Sequence, residues 1–241
     1  MKLLRIQLAC ELRVLARNGE QLLLILGIPL LLLSFFSNVD ILPTSGQSSV
    51  NFLLPGIVAL AIMSTAMVSL GIATGFERSY QVLKRLGATP LGVPRLVLAK
   101  ALSVLVVELA QVILLIGLAQ AFGADLGELN ITKLALVIAL GTLAFSGVGL
   151  SLAGRLRGEI NLAAQNALYL VLLLIGGIVF PLQEFPSWLH WVGRISPSGA
   201  LADVMRDVFS GTSIHGASSF VVLLCWAVAA QLSAFTLFRW N

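Results

Sequence analysis

Charge is scarce in this chain. Of its 241 residues only 11% are Asp, Glu, Lys or Arg and 58% are apolar, whereas soluble domains carry about 25% charged and about 45–50% apolar residues. That balance excludes an ordinary water-soluble domain. Cysteine is almost missing as well: Cys10 and Cys225 have no motif spacing, so neither a disulfide framework nor a metal site is supported. No glycine is followed by lysine, so the G-x-x-x-x-G-K-[ST] phosphate cradle is absent and the chain has no ATP-binding motif of its own. The formal charge of +4 sits at the ends of apolar runs rather than in a continuous stripe, which argues against a nucleic-acid partner. An intramembrane hydrolase needs a serine and a histidine facing each other inside the bilayer. Both histidines, His190 and His215, fall instead in a segment read below as outer, and Ser146 has Ala144 where a G-x-S-G motif wants glycine.

Long apolar runs are what the sequence has in abundance. A hydrocarbon core of ~30 Å needs about 20 helical residues at 1.5 Å each, and six runs meet that length: 21–38, with Pro29 as a kink, 52–75, 101–122, 131–154, 163–180 and 219–238. The fold class is therefore all-α, a polytopic membrane protein forming one transmembrane domain over 1–241. Residues 1–20 interleave Lys2, Arg5, Arg13 and Arg17 with leucines and read as an interfacial amphipathic helix. A cleaved leader is not expected, because no small-x-small site follows the first apolar run. Glycines at 141, 147, 149 and 176–177 would permit close helix contact, or are ordinary membrane-helix composition.

Orientation follows from lysine and arginine. With the N-terminus in the cytosol, twelve basic residues lie inside: Lys2, Arg5, Arg13, Arg17, Arg78, Lys84, Arg85, Arg95, Lys100, Arg155, Arg157 and Arg239. Only Lys133, Arg194 and Arg206 lie outside. Both termini are then cytosolic, in a multi-pass protein of the plasma (inner) membrane of a prokaryote.

The longest charged interruption is 77–100, ERSYQVLKRLGATPLGVPRLVLAK. Tyr80, Leu83 and Leu86 recur every third residue while Arg78, Gln81, Lys84 and Arg85 fall away from them, the pattern of a short amphipathic helix. Gly87 is a helix stop, and Thr89-Pro90 and Pro94 oppose continuation. The stretch resembles the cytosolic loop of type-two ABC exporter permeases, roughly E-R-E-x-G-T-L-K-R-L-R-A-T-P. Glu77, Arg78, Leu83, Lys84, Arg85, Leu86, Ala88, Thr89 and Pro90 match; Ser79, Gln81, Val82 and Gly87 depart. The resemblance implies that Glu77, Arg78, Leu83, Lys84, Arg85, Leu86, Thr89 and Pro90 couple to a separate ABC ATPase subunit, which would hold the ATP and Mg. It also implies a second permease, identical or related, and outward movement of amphipathic or lipid-like cargo when ATPase closure pushes on the loop.

The 181–218 segment is oddly composed for an exposed loop. Trp188 and Trp191 stand at helical spacing, suited to an aromatic belt among outer-leaflet lipids. Asp203, Arg206 and Asp207 follow at i, i+3 and i+4. Two short helices dipping into or lying on the outer surface account for it. Pro186, Leu189, Pro197, Ala200, Asp203 and Arg206 keep the skeleton of the corresponding family segment, with Trp188 one place early and Ser196 in place of Asn.

Glu108 is the sharpest single residue. It lies eight positions past Lys100, roughly 12 Å into the bilayer, where an ionised acid costs about 2.5–3.5 kcal/mol, and the only basic residue in any predicted span is Lys133, near the start of the fourth. It is protonated, bonded to Gln111 one turn on, turned to a water-filled cavity, or paired outside the chain. Glu108 and Gln111 are the candidates for a substrate path; the structural alternative is a polar helix contact near Gln165, Asn166 or Gln231. A proton-coupled carrier using Glu108, or a non-transporting scaffold, are the other functions this composition allows. A copurifying ATPase separates the permease from both.

Overall fold

In hydrocarbon each backbone N–H and C=O must find its partner inside its own segment, so apolar runs of this length become helices. The computed structural model describes residues 2–38, 48–127, 129–178, 186–211 and 216–238, and among these only helices and turns occur. The helices are α1 Lys2–Arg17, α2 Gly19–Ser37, α3 Ser49–Met63, α4 Leu70–Ser79, α5 Val82–Gly87, α6 Val93–Ala121, α7 Ile131–Ala153, α8 Gly158–Ile175, α9 Ser187–Ile195, α10 Pro197–Ser210 and α11 Gly216–Leu237. A π-helical turn, Ser64–Ser69, joins α3 to α4 without a break. Six of these helical stretches are long and apolar enough to cross a membrane.

Two spans outrun their apolar cores. Hydropathy alone ends the second near Gly75 and starts the third at Ala101, yet the helices run from Ser49 to Ser79 and from Val93 to Ala121. Glu77 and Lys100 are thus helical residues, and Pro94 sits in the first turn of α6, where its missing N–H costs nothing. The fifth span begins five residues earlier than its apolar run, at Gly158; Val179 and Phe180 lie outside the described residues. So do residues 181–185 and 212–215 of the outer segment, including His215, and Arg239.

Pro29 breaks no helix. Proline has no N–H, so it leaves the Ile25 carbonyl four residues back without its helical donor. The Gln111 side-chain amide on α6 fills the gap, donating Nε2–H to that oxygen at 2.6 Å. α3 and α7 form the centre of the bundle, mostly buried along their length, while α2, α8 and α11 stand at its edge with apolar faces turned outward. α7 lies against α11 and against the π turn at backbone contact distance. A Cβ on Gly147 would come within 2.5 Å of the Ala230 backbone, and one on Gly149 within 2.6 Å of the Met67 carbonyl, the close approach that small residues allow between membrane helices. Ser146 accepts an amide N–H from Gln231 at 3.0 Å in the same seam.

α8 has few buried residues and is held by amides. Asn161 donates to the Gly71 carbonyl at 2.8 Å and Gln165 to the Gly149 carbonyl at 2.9 Å. Between α8 and α11, α9 lies exposed while α10 sinks into the bundle against α3, α7 and α11, burying ten residues from Pro197 to Val208. Ser196 caps α10, accepting from Gly199 N–H at 3.0 Å.

Candidate functional site

The expected amphipathic helix through Tyr80, Leu83 and Leu86 is corrected by the structure. α4 carries on to Ser79, and the chain then breaks at Gln81, whose φ of 59° is left-handed, before α5 begins. A side chain there costs roughly 1–2 kcal/mol. Burial of Leu83, about 2 kcal/mol for a leucine, offsets it. Leu83 seats with Leu91, Leu96 and Phe238 in a small apolar cluster, flanked by Leu86 and Val93. Tyr80 is left out of that face: it is 72% exposed and stacks on Phe76, ring centroids 6.2 Å apart. The elbow closes with Thr89 donating its hydroxyl to the Leu86 carbonyl at 2.6 Å and Arg95 donating to the carbonyl of Pro90 at 3.1 Å.

Lys84 and Arg85 are exposed on this elbow. Arg78 turns back and donates to the Leu156 carbonyl at 3.3 Å, tying α4 to the turn before α8. Glu77 points the other way, into the protein. Its two carboxylate oxygens lie 2.8 and 3.0 Å from Lys100 Nζ, and the Glu11 carboxylate of α1 takes a third contact at 3.1 Å. The lysine is 1% exposed. The other Glu11 oxygen accepts from Gln7 Nε2 at 2.8 Å, so the acid is fixed from within α1 as well.

This triad escaped the sequence reading. Lys100 counts there as a loop residue and Glu11 goes unremarked among arginines; an acid on an otherwise basic surface helix is the one signal that could have marked it. Beside the triad is a cavity of about 40 Å³ reaching along α6, whose polar wall also includes Gln21, Thr65, Ser69 and Ser103. That is room for roughly three waters. Gln21 donates to Ser69 Oγ at 2.7 Å across the end of the π turn.

Glu108 and Gln111 lie deeper on α6 and are not bonded to each other. Gln111 serves the Ile25 carbonyl, and its own oxygen receives the Thr65 hydroxyl at 3.5 Å. Glu108 is 0% exposed and is hydrogen-bonded to Thr142 of α7, not to Gln165, Asn166 or Gln231. Thr142 also donates to the Ile138 carbonyl at 2.8 Å. One hydroxyl proton cannot serve two acceptors, so the pair is satisfied when Glu108 itself donates a proton to Thr142 Oγ1.

On α9, Trp188 and Trp191 are 69% and 68% exposed. Asp203 is buried and accepts from Ser219 at 3.4 Å, and Arg206, 3.7 Å from Asp203, donates to the carbonyls of Gly177 and Ile178 that follow α8. Burial lowers the Arg206 pKa from its ordinary value, and the Asp203 carboxylate raises it again.

Compared with known proteins, residues 3–210 match the model of the ABC-2 type transporter family. The chain belongs to that family. An ABC-2 domain is the membrane component of an ABC transporter and works with an ABC ATPase, and the six spans make this chain a multi-pass membrane protein. It is also similar to ABC transporter G family member 20 of Dictyostelium discoideum, 27% identical over 187 residues, which cover 74% of this chain and 25% of that protein. The chain thus spans about a quarter of the length of that relative.

Proposed function

We infer that the chain is the permease subunit of an ABC exporter, moving amphipathic or lipid-like cargo outward, with ATP and Mg held by a separate ATPase subunit that grips the cytosolic elbow. The observation that carries this is the elbow itself. A left-handed break, anchored by buried Leu83, holds Lys84 and Arg85 in the open, where a soluble partner can reach two fixed cations. Lys84→Glu with Arg85→Glu should leave the chain inserted and folded but abolish copurification of the ATPase, because both positions would then repel acids on the partner. Unchanged copurification would make the elbow an ordinary solvated turn.

The orientation we infer has both termini in the cytosol of a prokaryotic cell and α9 in the outer leaflet of the plasma membrane. Cysteines placed at Gln81 and Ser187, in a background lacking Cys10 and Cys225, should react with an impermeant thiol reagent in intact cells only at Ser187. Labelling at Gln81 would invert the topology.

A second permease, identical or related, would complete the path. Support for it comes from α8, where Asn166 is exposed among Leu162, Leu170 and Leu174 roughly 12 Å along the helix. Its amide bonds the Leu162 carbonyl at 2.9 Å and has capacity to spare. Lipid offers no partner for that capacity; another subunit would. Glu108 and Gln111, sealed inside one subunit, are better suited to holding α6 against α7 and α2 than to meeting cargo, and that is the role we infer for them.

A further inference from the structure

We propose that Lys100 is the joint that makes α1, the α4 end of the elbow and α6 move as one body. This rests on the coupling role inferred above for the elbow, and extends it to two elements that carry none of the matched motif. Three segments far apart in sequence meet at one ammonium: Glu11 is 89 residues from Lys100 and Glu77 is 23. Each of the three belongs to a different helix, and each helix has a different environment. α1 has no buried residue to anchor it. α4 ends in the exposed elbow two residues after Glu77. α6 is the long span that runs on to Glu108 and Gln111.

Charge explains why the joint holds all three together. Lys100 is almost wholly enclosed, so its ammonium needs compensation, and one carboxylate would suffice for neutrality. The structure supplies two, from opposite sides, leaving the cluster at one negative charge with the lysine as its only cation among the described residues. Each acid holds its own helix to α6 through the lysine, and among the described residues no salt bridge ties α1 to α4 directly. A push on the elbow therefore reaches α6 through Glu77, and α1 is carried along through Glu11.

The pairing can be read by pulsed EPR on nitroxide-labelled protein in nanodiscs, with Cys225→Ser to leave native, exposed Cys10 as the label site on α1. A second label at Ile113→Cys, exposed on α6, gives the α1–α6 distance, and Val82→Cys with Ile113→Cys, lacking Cys10, gives the elbow–α6 distance. Both distributions should be narrow in the parent and should stay unchanged when the copurified ATPase is trapped with ATP and vanadate. Lys100→Met should broaden both at least twofold, and Lys100→Arg should restore them. Glu11→Ala, which leaves a balanced Lys100–Glu77 pair and so a folded protein, should broaden only the α1–α6 distance. Narrow distributions in Glu11→Ala and Lys100→Met, or a parent distance that shifts with nucleotide, would overturn the joint. A parent that copurifies no ATPase would overturn the exporter assignment and the transmission with it, while the nucleotide-free distances would still show whether Lys100 ties the three helices.

Discussion

Lys100 and Glu108 lie on the same helix, eight residues apart, and both are buried, but they are stabilised in opposite ways. Lys100 keeps its charge company with two carboxylates brought from interfacial elements. Glu108 has no cation near it and takes a hydroxyl instead. The difference is depth. Around Lys100, Glu11 and Glu77 remain 12% and 25% exposed, so their charges are only partly desolvated and an ion cluster is tolerable. Further along α6 Glu108 is sealed among side chains with Thr142 as its polar partner, an ion pair there costs far more than it returns, and a neutral hydrogen bond serves. Gln111 belongs with Glu108: it too spends its polar group on another helix, covering the carbonyl that Pro29 cannot.

The largest effect should come from removing the charge that has two partners. Lys100→Met leaves two carboxylates facing each other without a cation. We expect a loss of about 3 kcal/mol, the low end for a half-broken buried pair, because both acids keep some contact with water. Thermal unfolding in detergent should show it directly. Adding Glu11→Gln to Lys100→Met should recover part of the loss by removing one of the stranded charges, and a double variant no more stable than Lys100→Met would mean that the cluster is not electrostatic.

The six spans were legible because twenty apolar residues leave little choice of structure, and the short helix ending at Gly87 was legible through its local pattern of leucines and basic residues, but the left-handed break at Gln81 was not. What could not be read was every contact that joins distant positions. Hydropathy treats Glu77 and Lys100 as the ends of spans, because it scores each charge alone and cannot see that they neutralise each other. Pro29 announced an orphan carbonyl, but nothing in the sequence pointed to Gln111 as its partner. Glycines 147 and 149 looked like ordinary composition until the opposing backbones of Ala230 and Met67 were known. Asp203 and Arg206 have the spacing of a surface ion pair and are instead packed beneath the outer helix, where the arginine holds the end of α8.

A middle-sized effect is expected at the proline. Gln111→Leu strands the Ile25 carbonyl and should cost about 1–2 kcal/mol, in the upper range for polar contacts between membrane helices. Pro29→Ala restores an N–H within α2 for the same carbonyl. In that background Gln111→Leu should cost less than half as much, a coupling visible in a double-mutant cycle by thermal unfolding. Additive effects would show that Gln111 is held by something other than the gap left by Pro29.

The smallest effect should be at Glu108, and its smallness is informative. If the acid donates its proton to Thr142, Glu108→Gln keeps a donor in the same place, with the amide N–H replacing the acid O–H, and at about pH 4, where the unfolded acid is also largely protonated, stability should stay within about 1 kcal/mol of the parent. Glu108→Leu should also be mild. Thr142 retains the Ile138 carbonyl as acceptor, and the leucine removes the Glu108 Oε1 atom that has no hydrogen-bond partner among the described residues. Linkage distinguishes the two states. An acid that is neutral when folded and ionised when unfolded destabilises the parent as pH rises, so Gln and Leu should both gain on it, and more at pH 8 than at pH 6. An acid ionised in both states gives the same shift at the two pH values. Thermal unfolding of the parent and the two variants at those pH values separates the cases. A gain that grows with pH would leave Glu108 as the neutral counterpart of Lys100. Shifts that do not change with pH would show that depth does not decide between ion cluster and neutral bond along α6.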